Sequence, residues 1–189
     1  MGVERVTVLF GGTFDPPHLG HVAIADAARE RFGAERLVLL VAEHPEHRSV
    51  STPAPIRLEL ARAAFPDDDV RLDPYPRTVD LLRAERFHDS VFVVGADEFS
   101  DFLGWKEPDE VLALTRLAVG TRPGFPHDRL ERVLARVAHP ERVVFFELAP
   151  DPRAATDVRA RAAAGDSLDG LVPPAVASLI RERGLYRGS

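Results

Sequence analysis

Apolar residues along this chain fall into short, nearly unbroken runs separated by longer stretches in which they recur every three or four positions. The runs "RVTVLF" (5–10), "RLVLLVA" (36–42), "DSVFVVGA" (89–96), "TRLAVGT" (115–121) and "RVVFFEL" (142–148) read as strands. Several are apolar almost throughout, the pattern of strands covered on both faces. Between them, "GHVAIADAARERFG" sets Val22, Ala25, Ala28 and Arg29 on one helical stripe and closes at Gly33, a residue suited to a left-handed C′ position. "APIRLELARAAF" carries Ile56, Leu60 and Ala63 at helical spacing and stops before Pro66. "PDEVLALT" and "PHDRLERVLARV" continue the alternation, with Pro108 and Pro126 suited to first helical turns. The pattern predicts an α/β fold, a doubly wound parallel sheet with helices on both faces and right-handed crossovers. Two helices broken near Gly165–Pro174 form a C-terminal helical part, 153–189, of a single domain over 1–189.

In such sheets the ligand crevice lies beyond the carboxyl ends of the strands. The segments that follow strands therefore carry the chemistry: 11–21, 42–52, 95–105 and 122–124. The first reads "GGTFDPPHLGH". Gly11 and Gly12 let the backbone turn and let a phosphate approach main-chain N–H groups. Gly20 and His21 enter a helix whose N-terminus favours anions. His18 and His21, three apart, sit near one another on that first turn and can donate to phosphoryl oxygens. Separately, two glycines are a plain turn and two histidines a surface pair; together they coincide where the fold predicts a site.

Composition narrows the field. The chain has 189 residues, 45% hydrophobic and 29% charged, with a formal charge of −6. That balance argues against non-specific binding to nucleic acid. It has no cysteine, which removes disulfides, thiolate zinc sites and cysteine nucleophiles. Lys106 is its one lysine, and no P-loop lysine motif is present. The longest apolar runs are too short to cross a bilayer and the first residues lack a secretory core, so a cytoplasmic protein with neither membrane nor nucleic-acid partners is expected.

"GGTFDPPHLGH" resembles the nucleotidyltransferase superfamily signature with its H-x-G-H element, and is most similar to the bacterial nicotinate-mononucleotide adenylyltransferases. "RTVDLL" (77–82), "VVGADEFSDFLGW" (93–105), "LAVGTRPG" (117–124) and "LVPPAVASLIRERGLY" (171–186) resemble further segments of that family in the same order. The resemblance implies a Rossmann-like sheet and transfer of AMP from ATP to nicotinate mononucleotide, with Mg2+ accompanying ATP. It implies small-molecule substrates and leaves a homo-oligomer open. By position, His18, His21 and Arg159 would act on the ATP phosphates. Gly11, Gly12, Thr13, Phe14, Gly20, Gly95, Asp97 and Thr156 would line the nucleotide site. Asp15, Arg48, Thr78, Trp105 and Arg122 would serve the acceptor. No side chain is assigned to a metal. Plainer readings stand beside these: Asp15 as a turn cap, Trp105 as core, Thr78 as a helix cap, Arg122 as a solvated loop residue.

Three departures from the family pattern surround the phosphates. The usual I-S-S-T-x-I-R is "RAATDVR" (153–159), which keeps Thr156 and Arg159 but has Ala154 and Ala155 for the serines. Each lost hydroxyl removes about 0.5–1.5 kcal/mol, or about 1.5–3 kcal/mol if it met a charged phosphate. The usual P-P-H-K is "PEHR", with Glu46 and with Arg48 for lysine, and the second threonine of T-x-D-T-L is Leu81. Two alternatives follow: a related transferase with another acceptor such as nicotinamide mononucleotide, or a non-catalytic nucleotide-binding homologue. Retention of both histidines favours an enzyme, because transition-state contacts profit a catalyst and not a binder. The H-I-G-H element of class I aminoacyl-tRNA synthetases is also similar, but chain length, negative charge and the lack of a lysine-rich loop oppose that reading.

Overall fold

The structure, a computed structural model, describes residues 6–45, 50 and 52–187. Six strands form one sheet: β1 (Thr7–Gly12), β2 (Arg36–Ala42), β3 (Asp69–Asp73), β4 (Ser90–Gly95), β5 (Arg116–Thr121) and β6 (Val143–Glu147). Their order is β3-β2-β1-β4-β5-β6 and every pairing is parallel. The helices are α1 (Leu19–Phe32), α2 (Ala54–Ala64), α3 (Thr78–Glu85), α4 (Ala96–Ser100), α5 (Pro108–Leu114), α6 (His127–Leu134), α7 (Ala155–Ala164) and α8 (Pro174–Glu182).

Alternate side chains of the strands enter opposite layers. Leu9, Val38 and Leu40 pack with Val79, Leu82, Val111 and Leu130 on one face. Val8, Phe10, Leu39 and Val41 pack with Ala25, Ala28 and Ala61 on the other. Coverage on both faces is why β2 is buried from Leu37 to Val41 and carries no polar alternation. The C-terminal helices join this body through α2, where Leu60 meets Val158 of α7 and Val176 and Ile180 of α8.

Element ends follow local chemistry. Gly33 closes α1 in the left-handed region (φ 57°), and its N–H reaches the carbonyls of Arg29 and Glu30. Pro108 opens α5 within its first turn, whereas Pro126 stands one position before α6. The strand β3 was not expected. Its sequence DVRLD alternates charge with apolar residues, and only Val70 is buried, because it is an edge strand. The short helix α4 also replaces what reads in sequence as loop.

The chain runs outward from β1 through β2 to β3, then crosses back to place β4 on the other side of β1. In doubly wound sheets ligands bind at such a switch in direction, which here falls past the carboxyl ends of β1 and β4. Gly12 and Gly95 are the last residues of those two strands.

Candidate active site

Gly11 and Gly12 belong to β1 itself, and the turn expected at them falls instead at Phe14, a buried aromatic held at φ 49°. A Cβ on Gly11 would lie 3.1 Å from the Phe92 ring, and one on Gly12 would lie 3.0 Å from the Phe14 ring. The glycines thus make room for aromatic packing on that side. Phe14 in turn meets Phe10 and His21 edge-on, with centroids 5.6 and 5.1 Å away. A bulky residue at positive φ is strained, and such strain collects at ligand sites.

His18 is the N-cap of α1, in extended backbone, and is 8% exposed. Its backbone N–H donates to Nδ1 of His21 at 3.1 Å. Neutral His21 therefore carries its proton on Nε2, as a donor. The two rings lie 3.8 Å apart, centroid to centroid. Nδ1 of His18 is buried and has no hydrogen-bond partner. Gly20 explains the tight fit: a Cβ there would lie 2.8 Å from both Cε1 and Nδ1 of His18, and 3.2 Å from Oδ2 of Asp151.

Burial holds the His18 pKa below 6.5; Asp151 pulls it up, and Arg153 and Arg122 push it down again. Neutral imidazole is favoured at pH 7. The stability gained by burying it neutral is complete above 6.5 and is lost as pH falls below that value, where the unfolded chain takes up the proton first. In an NMR titration His18 is expected to have a midpoint below 6.5; a midpoint above it would mean that Asp151 outweighs burial. Asp151 is itself held low, to about 2, chiefly by its hydrogen bonds from Arg153.

A second layer braces this loop. Arg159 of α7 donates to the carbonyl of Asp15 at 2.7 Å and to Oγ1 of Thr156 at 3.3 Å. The buried Asp15 carboxylate accepts the Tyr186 hydroxyl at 2.7 Å, and the Leu19 N–H donates to the carbonyl of Leu171 at 2.9 Å. Burial, reinforced by Asp15, raises the Tyr186 pKa and keeps the phenol a donor. Arg57, 1% exposed, donates to the carbonyls of Thr13 at 2.8 Å, Thr52 at 3.0 Å and Glu43 at 3.4 Å. It ties together the loops after β1 and β2. Ala154 is the N-cap of α7 and offers no side-chain cap.

Gly95 and Asp97 are exposed where β4 passes into α4, and nothing lies within 4 Å of the point a Gly95 Cβ would occupy. Thr78 begins α3, and Trp105 packs edge-on against Phe102, with centroids 5.2 Å apart, while staying partly exposed. Lys106 donates to Asp80 at 2.8 Å, which fastens the Trp105 segment to the helix that starts at Thr78. Arg122 is exposed just beyond β5, and its charge reaches His18. Arg48 and Glu46 lie outside the described residues. The structure therefore gathers His18, Gly20 and His21 into one cluster, within reach of the Arg122 charge and braced by Asp15, Thr156 and Arg159, while Thr78 and Trp105 lie on segments linked by the Lys106–Asp80 pair. Sequence reading missed Asp151, Arg153, Tyr186 and Arg57. Arg153 and Tyr186 lay within the family-like segments 153–159 and 171–186 without an assigned role, and Arg57 showed only as an arginine beside the apolar stripe of α2.

Among the described residues no cluster of three or more carboxylates and histidines could hold a metal ion. The donor set of imidazoles and guanidiniums suits anions instead. No helix among them is long and apolar enough to cross a membrane. A separate cleft of about 480 Å3 lies between α6 and β6, lined by Leu130, Leu134 and Phe145 among others, and contains none of the expected site residues.

The cytidylyltransferase-like family profile matches residues 9–161. The probable nicotinate-nucleotide adenylyltransferase of Rubrobacter xylanophilus is 37% identical over 195 residues, covering 95% of this chain and 91% of that protein. Its counterpart in Bordetella pertussis is 37% identical over 200 residues, covering 99% and 100%. Among solved structures, the Plasmodium falciparum nicotinic acid mononucleotide adenylyltransferase complexed with NaAD superposes with a TM-score of 0.73 at 15% identity, covering 96% of this chain and 97% of that one. The last likeness is one of fold.

Proposed function

From the premise that this chain belongs to the cytidylyltransferase-like family, in its nicotinate-nucleotide adenylyltransferase branch, we propose that it transfers AMP from ATP to nicotinate mononucleotide. An oxygen of the acceptor phosphate attacks the α-phosphorus of ATP, the bond to the bridging oxygen breaks, and pyrophosphate leaves. The acceptor is already an anion, so no general base is required. Catalysis is alignment plus neutralisation of charge around the α-phosphorus.

The observation that carries this reading is the pair of closely packed, mutually tilted imidazoles at the entrance to α1. Nδ1 of His18 is buried without a partner, Nε2–H of His21 is a donor, and Arg122 stands nearby. This group suits a polyphosphate. The open space at Gly95 and the exposed Asp97 support a ribose there, accepted by carboxylate oxygens. Trp105 and Thr78, on segments linked by the Lys106–Asp80 pair, support an acceptor pocket for a pyridine ring. Arg159 and Thr156 serve the phosphates from α7, and Arg48 the acceptor.

Enzymes of this family generally use a divalent metal. The described side chains form no metal cage, and in this reading Mg2+ enters with ATP as part of the substrate. The reading makes 1–189 one catalytic domain of a cytoplasmic protein.

Purified protein given ATP, Mg2+ and nicotinate mononucleotide is expected to release pyrophosphate, read with a coupled phosphatase. Release only with nicotinamide mononucleotide would change the acceptor and keep the chemistry. Silence with every mononucleotide despite measurable ATP binding would make the chain a binder.

A further inference from the structure

Where the chain departs from its family's phosphate motif, the structure holds a charged pair with no part in the chemistry above. The Arg153 backbone N–H and Nε donate to Oδ1 of Asp151 at 2.9 and 2.7 Å, and Nη2 donates to Oδ2 at 2.5 Å. The pair stands immediately before α7, where Ala154 and Ala155 supply no hydroxyl. Oδ2 of Asp151 lies 3.2 Å from the point a Gly20 Cβ would occupy, and Nδ1 of His18 lies 2.8 Å from that same point. One carboxylate oxygen and one buried imidazole nitrogen without a partner thus converge above Gly20. An oxygen set between an arginine fork, a histidine and a helix entrance occupies the surroundings that a phosphoryl oxygen requires.

We infer that Arg153 is a phosphate-binding residue that takes over from the hydroxyls missing at Ala154 and Ala155, and that Asp151 is its stand-in anion, displaced when phosphate arrives. The inference rests on the adenylyltransferase reading only in identifying the anion as the triphosphate of ATP. A guanidinium grips carboxylate and phosphate through the same bidentate geometry, so one can replace the other without moving the fork far. The side chains of Arg153 and Asp151 keep 29% and 14% of their exposure, which leaves the pair open to an incoming ligand. With phosphate bound, the Asp151 charge is repulsive, and the two partners of the ion pair therefore act on binding with opposite signs.

That opposition separates the inference from a merely structural salt bridge, whose two halves would act alike. Binding of inorganic tripolyphosphate, and separately of ATP, is measured by calorimetry on Arg153→Gln and Asp151→Asn, with thermal melts recorded for both. Arg153→Gln is expected to weaken tripolyphosphate about tenfold or more, as for loss of a charged hydrogen bond. Asp151→Asn is expected to tighten it severalfold. Arg153→Lys, which keeps the charge and loses the fork, should fall between wild type and glutamine and serves should Arg153→Gln melt early. Changes of the same sign, or no change, overturn the inference. Opposite signs in a protein that forms no dinucleotide would uphold this inference while removing the proposed activity. Like signs in an active enzyme would do the reverse.

Discussion

His18→Ala is expected to lower kcat for pyrophosphate release by about 10²–10³-fold, the usual loss for one preorganised donor to developing charge, while ATP affinity stays largely unchanged. The ring is packed before substrate arrives: His18 is buried at the N-cap of α1, its backbone N–H donates to His21, and the two imidazoles lie 3.8 Å apart. A donor fixed in that way stabilises the pentacoordinate phosphorus more than it stabilises bound ATP, which is the condition for raising kcat. Gly20→Ala tests the same geometry from outside the ring. Its Cβ would lie 2.8 Å from Cε1 and Nδ1 of His18, so the imidazole has to move, and most of the kcat loss should recur in a protein that melts normally. Single-turnover kinetics and equilibrium ATP binding separate the two effects. A fall in ATP affinity equal to the fall in rate would make His18 a ground-state contact.

Arg57→Ala is expected to destabilise the fold by about 3–5 kcal/mol, the range for breaking a buried ionic network by removing one member. For a chain of this size that corresponds to a melting temperature lower by roughly 10 °C. The loss has three sources. Carbonyls of Thr13 and Thr52 lose donors at 2.8 and 3.0 Å, the buried Asp15 carboxylate loses a nearby cation, and a cavity opens behind the first loop. Arg57→Lys is expected to recover only part of it, because an ammonium cannot span three carbonyls in two separate loops as a planar fork does. Chemical denaturation reads both. A loss under about 1 kcal/mol, small against ordinary core substitutions, would show that the loops are held by other contacts.

The layered sheet was legible because strands buried on both faces must be apolar throughout. The run 36–42 is β2 residue for residue. β3 escaped the same reading because an edge strand needs no such run, and DVRLD resembles a charged loop. In the site, the histidines and Gly20 could be located, but the reason for Gly20 could not. That reason is an imidazole and a carboxylate lying against its Cα, and the carboxylate is 131 positions away in sequence. Asp15 shows the same limit. Its carboxylate turns toward Tyr186, a partner 171 positions downstream, and no local pattern announces that pairing. Likewise the turn after β1 uses Phe14 at positive φ, a choice that residue preferences disfavour and only the surrounding aromatic packing explains.

The bonds from Leu19 N–H to the Leu171 carbonyl and from the Tyr186 hydroxyl to Asp15 also order events during synthesis. A nascent chain that has emerged from the ribosome only as far as β6 already contains the glycines and both histidines. Its first loop still lacks the carbonyl, the phenol and the Arg159 guanidinium that hold it in place. The bracing of that loop therefore arrives late in translation, and a chain cut short within this region is expected to bind ATP more weakly than the full chain, read by calorimetry.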